Sequence, residues 1–338
     1  MTFSSKPLET LEGAPEVIQR PRTFSAIEIH EFAKLALAKK CEQFHEDPRP
    51  FVAFIINVSG ELQLVALTTS NTEKVDPKKL ASSKSKDQII HRHPLVLARR
   101  AFIRYLVKEA KKHETNDPSS ILIANEEGEL QLQPSCHLYM YSTLSFVCEN
   151  VIMGLEALKT HDTNHCIMNK VRRWNILGIQ GALLSNIFAP VYISKIVYGT
   201  APPVSTVDIW MHLFGNLKIK DREMTVDALP LDATRGVTDR TFVWFQGLNG
   251  LDVIAENGRL FTGDGSSVCK EEIFKAYLQL AKADKRILKY SRAKKQAGHY
   301  QLMKKLLYKK WESEKNGKWL KRKSNKADKF WVELRDSR

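Results

Sequence analysis

The sequence predicts one α/β sandwich with a basic, helical C-terminal part. Three observations predict it. β-rich runs alternate with stretches of helical periodicity through the first two thirds of the chain, the last third is patterned almost wholly as helix, and the charge is confined to that last part. Of the 338 residues, those from Lys270 to Arg338 hold 22 lysines and arginines against 8 acidic residues, which accounts for the whole formal net charge of +14. The rest of the chain is neutral.

Taken in order, residues 1–23 contain Pro7, Pro15 and Pro21 with little periodicity and read as an irregular lead-in. One domain is expected over 24–332, with a tail at 333–338. Ser25 to Phe44 has the apolar spacing of an amphipathic helix, stopped before Asp47-Pro48. Two β-rich runs follow, Phe51–Val58 and Leu62–Thr69, and Ser59-Gly60-Glu61 between them is hairpin grammar. The lysine-rich stretch Ser70–Lys86 reads as a surface loop. His93–His113 reads as a long helix, Ile121–Ala124, Glu129–Leu132 and His137–Phe146 as strands, and Lys170–Phe188 as helix-rich. A β-branched run covers Val191–Tyr198, and two more strands are placed at Thr241–Gly247 and Leu251–Glu256. Val268–Ala281 and Asp284–Glu312 read as the closing helices. No internal repeat is evident.

Several classes are excluded. The longest apolar runs fall far short of the roughly 18–20 residues a membrane-spanning helix needs, and Glu9, Glu12 and Glu16 occupy the region where a signal peptide carries an apolar stretch. Membrane residence and export are therefore not expected. Cys41, Cys136, Cys148, Cys166 and Cys269 are odd in number and scattered, with no CxxC pair, so a reducing compartment is expected and a disulfide framework is not. The basic block is interrupted by Trp311, Trp319, Phe330 and Trp331. Aromatics at that density suit a folded segment whose cations converge on a polyanion, either nucleic acid or a highly phosphorylated small molecule; the alternative is a solvated helical face or polybasic tail.

Three stretches together resemble the deaminase domain of the adenosine deaminases acting on RNA. They are His93-Pro94-Leu95-Val96-Leu97-Ala98-Arg99-Arg100, His137-Leu138-Tyr139, and the run from Arg173-Trp174-Asn175 through Gly178-Ile179-Gln180-Gly181 to Ser185. The third is the specific one. The likeness spans about Ser25 to Phe330 and implies a cytidine-deaminase-like fold, helices around a central mixed β-sheet. Family members hold a zinc ion with one His and two Cys, and a Glu that is not a ligand moves the proton while the bound water attacks adenine. Matched residue by residue, the His is His93, the Glu is replaced by Leu95, and the two Cys by Ser145 and Ile167. Leucine cannot carry a proton, a function worth about 10²–10⁴-fold in general acid–base catalysis. The resemblance thus implies a degenerate member with no catalytic residue and no zinc. The alternative metal site would use His93 with Cys148 and Cys166 or His165, the latter three shifted from the family positions. Only 21 residues separate Ser145 from Ile167, where family members carry a long loop that enters the duplex.

The family also buries inositol hexakisphosphate in the domain core. The residues matching that site here are Arg99, Arg100, Lys170, Arg173, Trp174, Gln180, Lys270, Tyr290, Lys294, Tyr300, Lys304 and Trp319. Tyr290/Lys294 and Tyr300/Lys304 are i,i+4 pairs, which set phenol and ammonium side by side on a helical face. The other reading of these residues is an ordinary basic helix with aromatic core contacts. The expected function is that of a pseudoenzyme that binds inositol hexakisphosphate structurally and modulates A-to-I RNA editing, either by weak binding of double-stranded RNA or as a heterodimer with an active deaminase, which is the favoured partner. The alternatives are an active double-stranded-RNA adenosine deaminase with a displaced zinc site, and a plain RNA-binding deaminase-like protein. A nuclear location is expected.

Overall fold

The computed structural model of the chain describes residues 22–42, 50–70, 86–89, 91–143, 167–200, 206, 224–230, 240–281, 288–313 and 330–332. Helix α1 (Ala26–Cys41) starts at a capping box: Ser25 Oγ accepts from the Glu28 amide and the Glu28 carboxylate accepts from the Ser25 amide, at 3.2 and 2.8 Å. Strands β1 (Phe51–Val58) and β2 (Glu61–Thr69) form the expected hairpin. Its two-residue loop, Ser59 and Gly60, has positive φ at both positions, the geometry that matches strand twist. Helix α2 (Pro94–Glu114), β3 (Leu122–Ala124), β4 (Leu130–Leu132) and β5 (Cys136–Ser142) follow. Then come α3 (Ile167–Leu177), α4 (Gly181–Leu184), β6 (Lys195–Thr200), β7 (Thr225–Pro230), β8 (Thr241–Phe245) and β9 (Asp252–Ile254). The C-terminal part holds α5 (Lys270–Leu280), β10 (Leu288–Lys289), α6 (Tyr290–Gln296), α7 (Gly298–Ser313) and β11 (Trp331–Val332).

A seven-stranded mixed sheet in the order β7-β6-β5-β1-β2-β8-β9 forms the centre, with β5, β6 and β7 parallel and the other pairs antiparallel. The fold is the expected α/β sandwich. Both faces of β1 are buried, which explains its unbroken apolar run: Val52, Phe54 and Ile56 join the core under α2, α3 and α5, while Phe51, Ala53 and Ile55 join the core under α1. A third, smaller cluster of Leu177, Ala297, Tyr300, Leu307 and Trp311 fixes α7 against α3. The basic C-terminal part is therefore packed on the sandwich through α3.

The differences from the expected elements have local causes. The stretch expected as helix-rich over 170–188 is split, because Gly178 at φ +85° ends α3 in a conformation only glycine adopts readily. Val191 and Ile193 are apolar because they are buried, not because they lie in a strand. The Val191 amide donates to Gln180 Oε1, its carbonyl accepts from Ile179, and β6 begins only at Lys195. The single helix expected over Asp284–Glu312 is two helices, separated at Ala297 by a ψ of 68°, preceded by a short strand that pairs with β11. Strand β7 was not anticipated. Its residues Thr-Val-Asp-Ala-Leu-Pro alternate weakly, and its terminal proline is tolerated at the sheet edge.

Candidate functional site

The N-terminus of α2 brings two neighbourhoods within two helical turns of each other. At the first turn, His93 is the N-cap and its Nδ1 accepts from the Leu95 amide at 3.2 Å, with Pro94 at the first helical position. Thr68 Oγ1 donates to the Pro94 carbonyl at 2.7 Å and ties this turn to the end of β2. Leu95 is fully buried in the main core, and the half-buried Ile167, at the start of α3, packs against the same core. Lys170, one turn further along α3, lies 2.7 Å from His91 Nε2, and the His91 and His93 rings approach at 6.3 Å. Burial first, and then the charge of Lys170, hold His93 down to about 4, so the imidazole is neutral.

A zinc site takes three or four side chains such as His, Cys thiolate and carboxylate in tetrahedral array. Among the described residues no group of three or more His, Cys, Asp or Glu side chains is placed to hold a metal ion. His93 lends its Nδ1 to the helix cap, and Leu95 and Ile167 offer only hydrocarbon. These residues do not fit zinc. Ser145, and the alternative ligands Cys148, Cys166 and His165, lie outside the described residues.

At the second turn the chemistry changes. Arg99 is half-buried, donates from Nε to the Ile179 carbonyl at 2.8 Å and stacks its guanidinium on the Trp174 ring at 5.2 Å. Burial pulls Arg99 down to about 10; Tyr300 and Tyr290 oppose this, while Arg173 and Arg100 add repulsion. Among the described residues, the groups acting on Arg99 are thus two phenols and two further guanidiniums. Arg173 is also half-buried, and its Nη1 donates to Tyr308 Oη at 3.1 Å. Burial alone would lower Arg173, and the phenols of Tyr300 and Tyr308 outweigh it. Lys294 lies over the Tyr290 ring at 5.0 Å and Lys304 over the Tyr308 ring at 5.7 Å. The charge of Arg100 also acts on Cys269, the N-cap of α5, and Lys270 is the first residue of that helix. Gly181, at φ +70°, leaves room for this packing: a Cβ there would run into Arg99 Nη2.

Of the twelve residues named from the sequence, Arg99, Arg100, Arg173, Trp174, Tyr290, Lys294, Tyr300 and Lys304 converge here, and Lys270 opens α5. Lys170 is placed against His91, at the His93 corner. Gln180 spends its amide on the chain itself, donating to Leu177 O and Ser185 Oγ and accepting from the Val191 amide. Trp319 lies outside the described residues. Tyr308 was missed. Its signal was present, since Tyr300, Lys304 and Tyr308 form one i,i+4 row along α7.

Guanidiniums gathered in a partly desolvated place repel one another, and an anion offsets both the repulsion and the desolvation. Trp174 Nε1 is buried with no hydrogen-bond acceptor among the described residues, and an unmade bond to such a donor costs about 1–3 kcal/mol. Guanidinium, ammonium, phenol and indole donors are the groups that inositol hexakisphosphate calls for, and the residues fit it. Bound there, it would supply negative charge and an acceptor for the indole.

Comparison with known proteins agrees with this architecture. The adenosine-deaminase (editase) domain matches residues 72–168 and 166–213. Double-stranded RNA-specific editase B2 of Rattus norvegicus is 24% identical over 311 residues, covering 72% of this chain and 41% of that protein, and its Mus musculus counterpart matches to the same extent. Double-stranded RNA-specific editase Adar of Drosophila melanogaster is 59% identical over 32 residues, 10% of this chain and 5% of that one. The chain spans about two fifths of the length of the editase B2 relatives it matches. No helix among the described residues is long and apolar enough to cross a membrane. With its mixed sheet, its motif positions and these likenesses, the chain is similar to the adenosine-deaminase (editase) domain over residues 72–213.

Proposed function

We propose that this chain is a catalytically silent editase domain, which holds inositol hexakisphosphate as a structural cofactor and modulates A-to-I editing by binding double-stranded RNA without deaminating it. The observation that carries the reading is Leu95: a fully buried hydrocarbon stands where the chemistry needs a carboxyl group to move a proton, two residues from a His whose Nδ1 caps the helix. RNA as the partner is supported by the relatives, which are double-stranded RNA-specific editases, and by the excess of cations in the C-terminal part. The protein acts in the nucleus on this reading.

The test is a duplex-RNA assay that reads binding and inosine on the same sample. Binding that weakens steeply as salt rises, with no inosine above a Leu95→Ala control, is expected. Inosine above that control would return the chain to the active deaminases. A complex with an active editase that survives both nuclease and high salt would move the modulation from RNA to a protein interface, since an apolar contact is not screened.

A further inference from the structure

We propose that Tyr308 is a positioning residue of the polyanion site, a neutral acceptor that fixes the direction of the Arg173 guanidinium without cancelling its charge. This rests on the polyphosphate reading above. The phenol does two things at once. Its hydroxyl accepts from Arg173 Nη1 at 3.1 Å, and its ring carries the Lys304 ammonium at 5.7 Å, so a single side chain on α7 orients a cation from α3 and one from its own helix. A buried guanidinium can also be oriented by a carboxylate, but that carboxylate would neutralise it and compete with phosphate. A phenol avoids this. Burial raises Tyr308 against the pull of Arg173, so the phenol stays neutral and itself cancels none of the guanidinium's charge. Arg173 thereby keeps the planar fork that recognises phosphate in two-point fashion, already aimed when the anion arrives.

The experiment refolds the full chain from guanidinium chloride at graded inositol hexakisphosphate and reads the folded fraction by near-ultraviolet circular dichroism. Tyr308→Phe keeps the ring and removes the acceptor. Its half-saturating concentration is expected to rise about tenfold with an unchanged folded plateau, the loss of one hydrogen bond to a charged group. In an Arg173→Lys background, which lacks the fork, Tyr308→Phe should change the midpoint by less than about twofold, because neighbours acting through one group are not additive. Wild-type midpoints for Tyr308→Phe, equal shifts in both backgrounds, or a Tyr308→Phe protein that never reaches the plateau would each overturn the positioning role. A wild-type chain that refolds independently of inositol hexakisphosphate would overturn the polyphosphate reading itself, and this inference with it.

Discussion

The first and second turns of α2 hold opposite kinds of site. At the first, Leu95 is part of the hydrophobic core, Ile167 packs against that core, and His93 is neutral and engaged in a helix cap. At the second, Arg99 and the side chains around it gather partly desolvated positive charge. The difference is thermodynamic. Replacing a buried ionisable group by a hydrocarbon of similar size is commonly neutral or stabilising, so a proton-transfer site can be filled in at no cost to the fold. A cluster of buried cations around an anion has no such exit, because removing one partner leaves charge uncompensated, a loss of about 3–5 kcal/mol. A domain can thus lose its chemistry and still depend on its cofactor.

The largest expected effect comes from reversing the first turn. Leu95→Glu puts a carboxylate into the core and should cost several kcal/mol, lowering the melting temperature by about 10 °C while giving no inosine on duplex RNA. A variant that melts like the wild type would mean that this corner is open to water rather than part of the core. Next is the second turn's own dependence on charge. Lys294→Ala with Lys304→Ala should lower the melting temperature by about 5–10 °C and reduce bound inositol phosphate, whereas Lys305→Ala with Lys309→Ala, both exposed on α7, should do neither. Equal melting temperatures for the two pairs would reduce all four lysines to surface charge.

A smaller effect separates backbone strain from the cationic cluster. Gly181 and Gly250 both have positive φ, +70° and +81°, but a Cβ at Gly181 would strike Arg99 whereas one at Gly250 meets nothing within 4 Å. Gly250→Ala should therefore cost only the strain of the left-handed region, about 1–2 kcal/mol. Gly181→Ala should cost more, and it alone should lower the inositol phosphate content of the purified protein. Equal losses with equal content would show that Arg99 can move aside freely.

Much of this was legible in the sequence, for physical reasons that differ by region. The β1–β2 hairpin and α2 announce themselves through period and turn chemistry: a Ser-Gly loop between apolar runs, and a proline just inside a helix that begins on a capping residue. The i,i+4 spacing of Tyr290/Lys294 and Tyr300/Lys304 likewise survives folding, because a helix fixes which neighbours share a face. Tertiary placement was less legible. Lys170 and Arg173 lie three residues apart on α3, yet one meets His91 and the other Tyr308, and nothing in the order of residues separates the two roles. Gln180 matches the motif by type, but its amide is consumed by the turn that follows α3, a consequence of where Val191 comes to rest. Strand β7 pairs with a strand thirty residues away, and its short, weakly alternating sequence carries little of that long-range contact.

The central claim, a family fold that has given up its metal chemistry and kept its anion, is tested most directly by measuring zinc and phosphorus together in one sample of purified protein by elemental mass spectrometry. The account predicts phosphorus at the ratio required by one bound inositol hexakisphosphate per chain, with zinc well below one equivalent. One equivalent of zinc without phosphorus would contradict it on both counts.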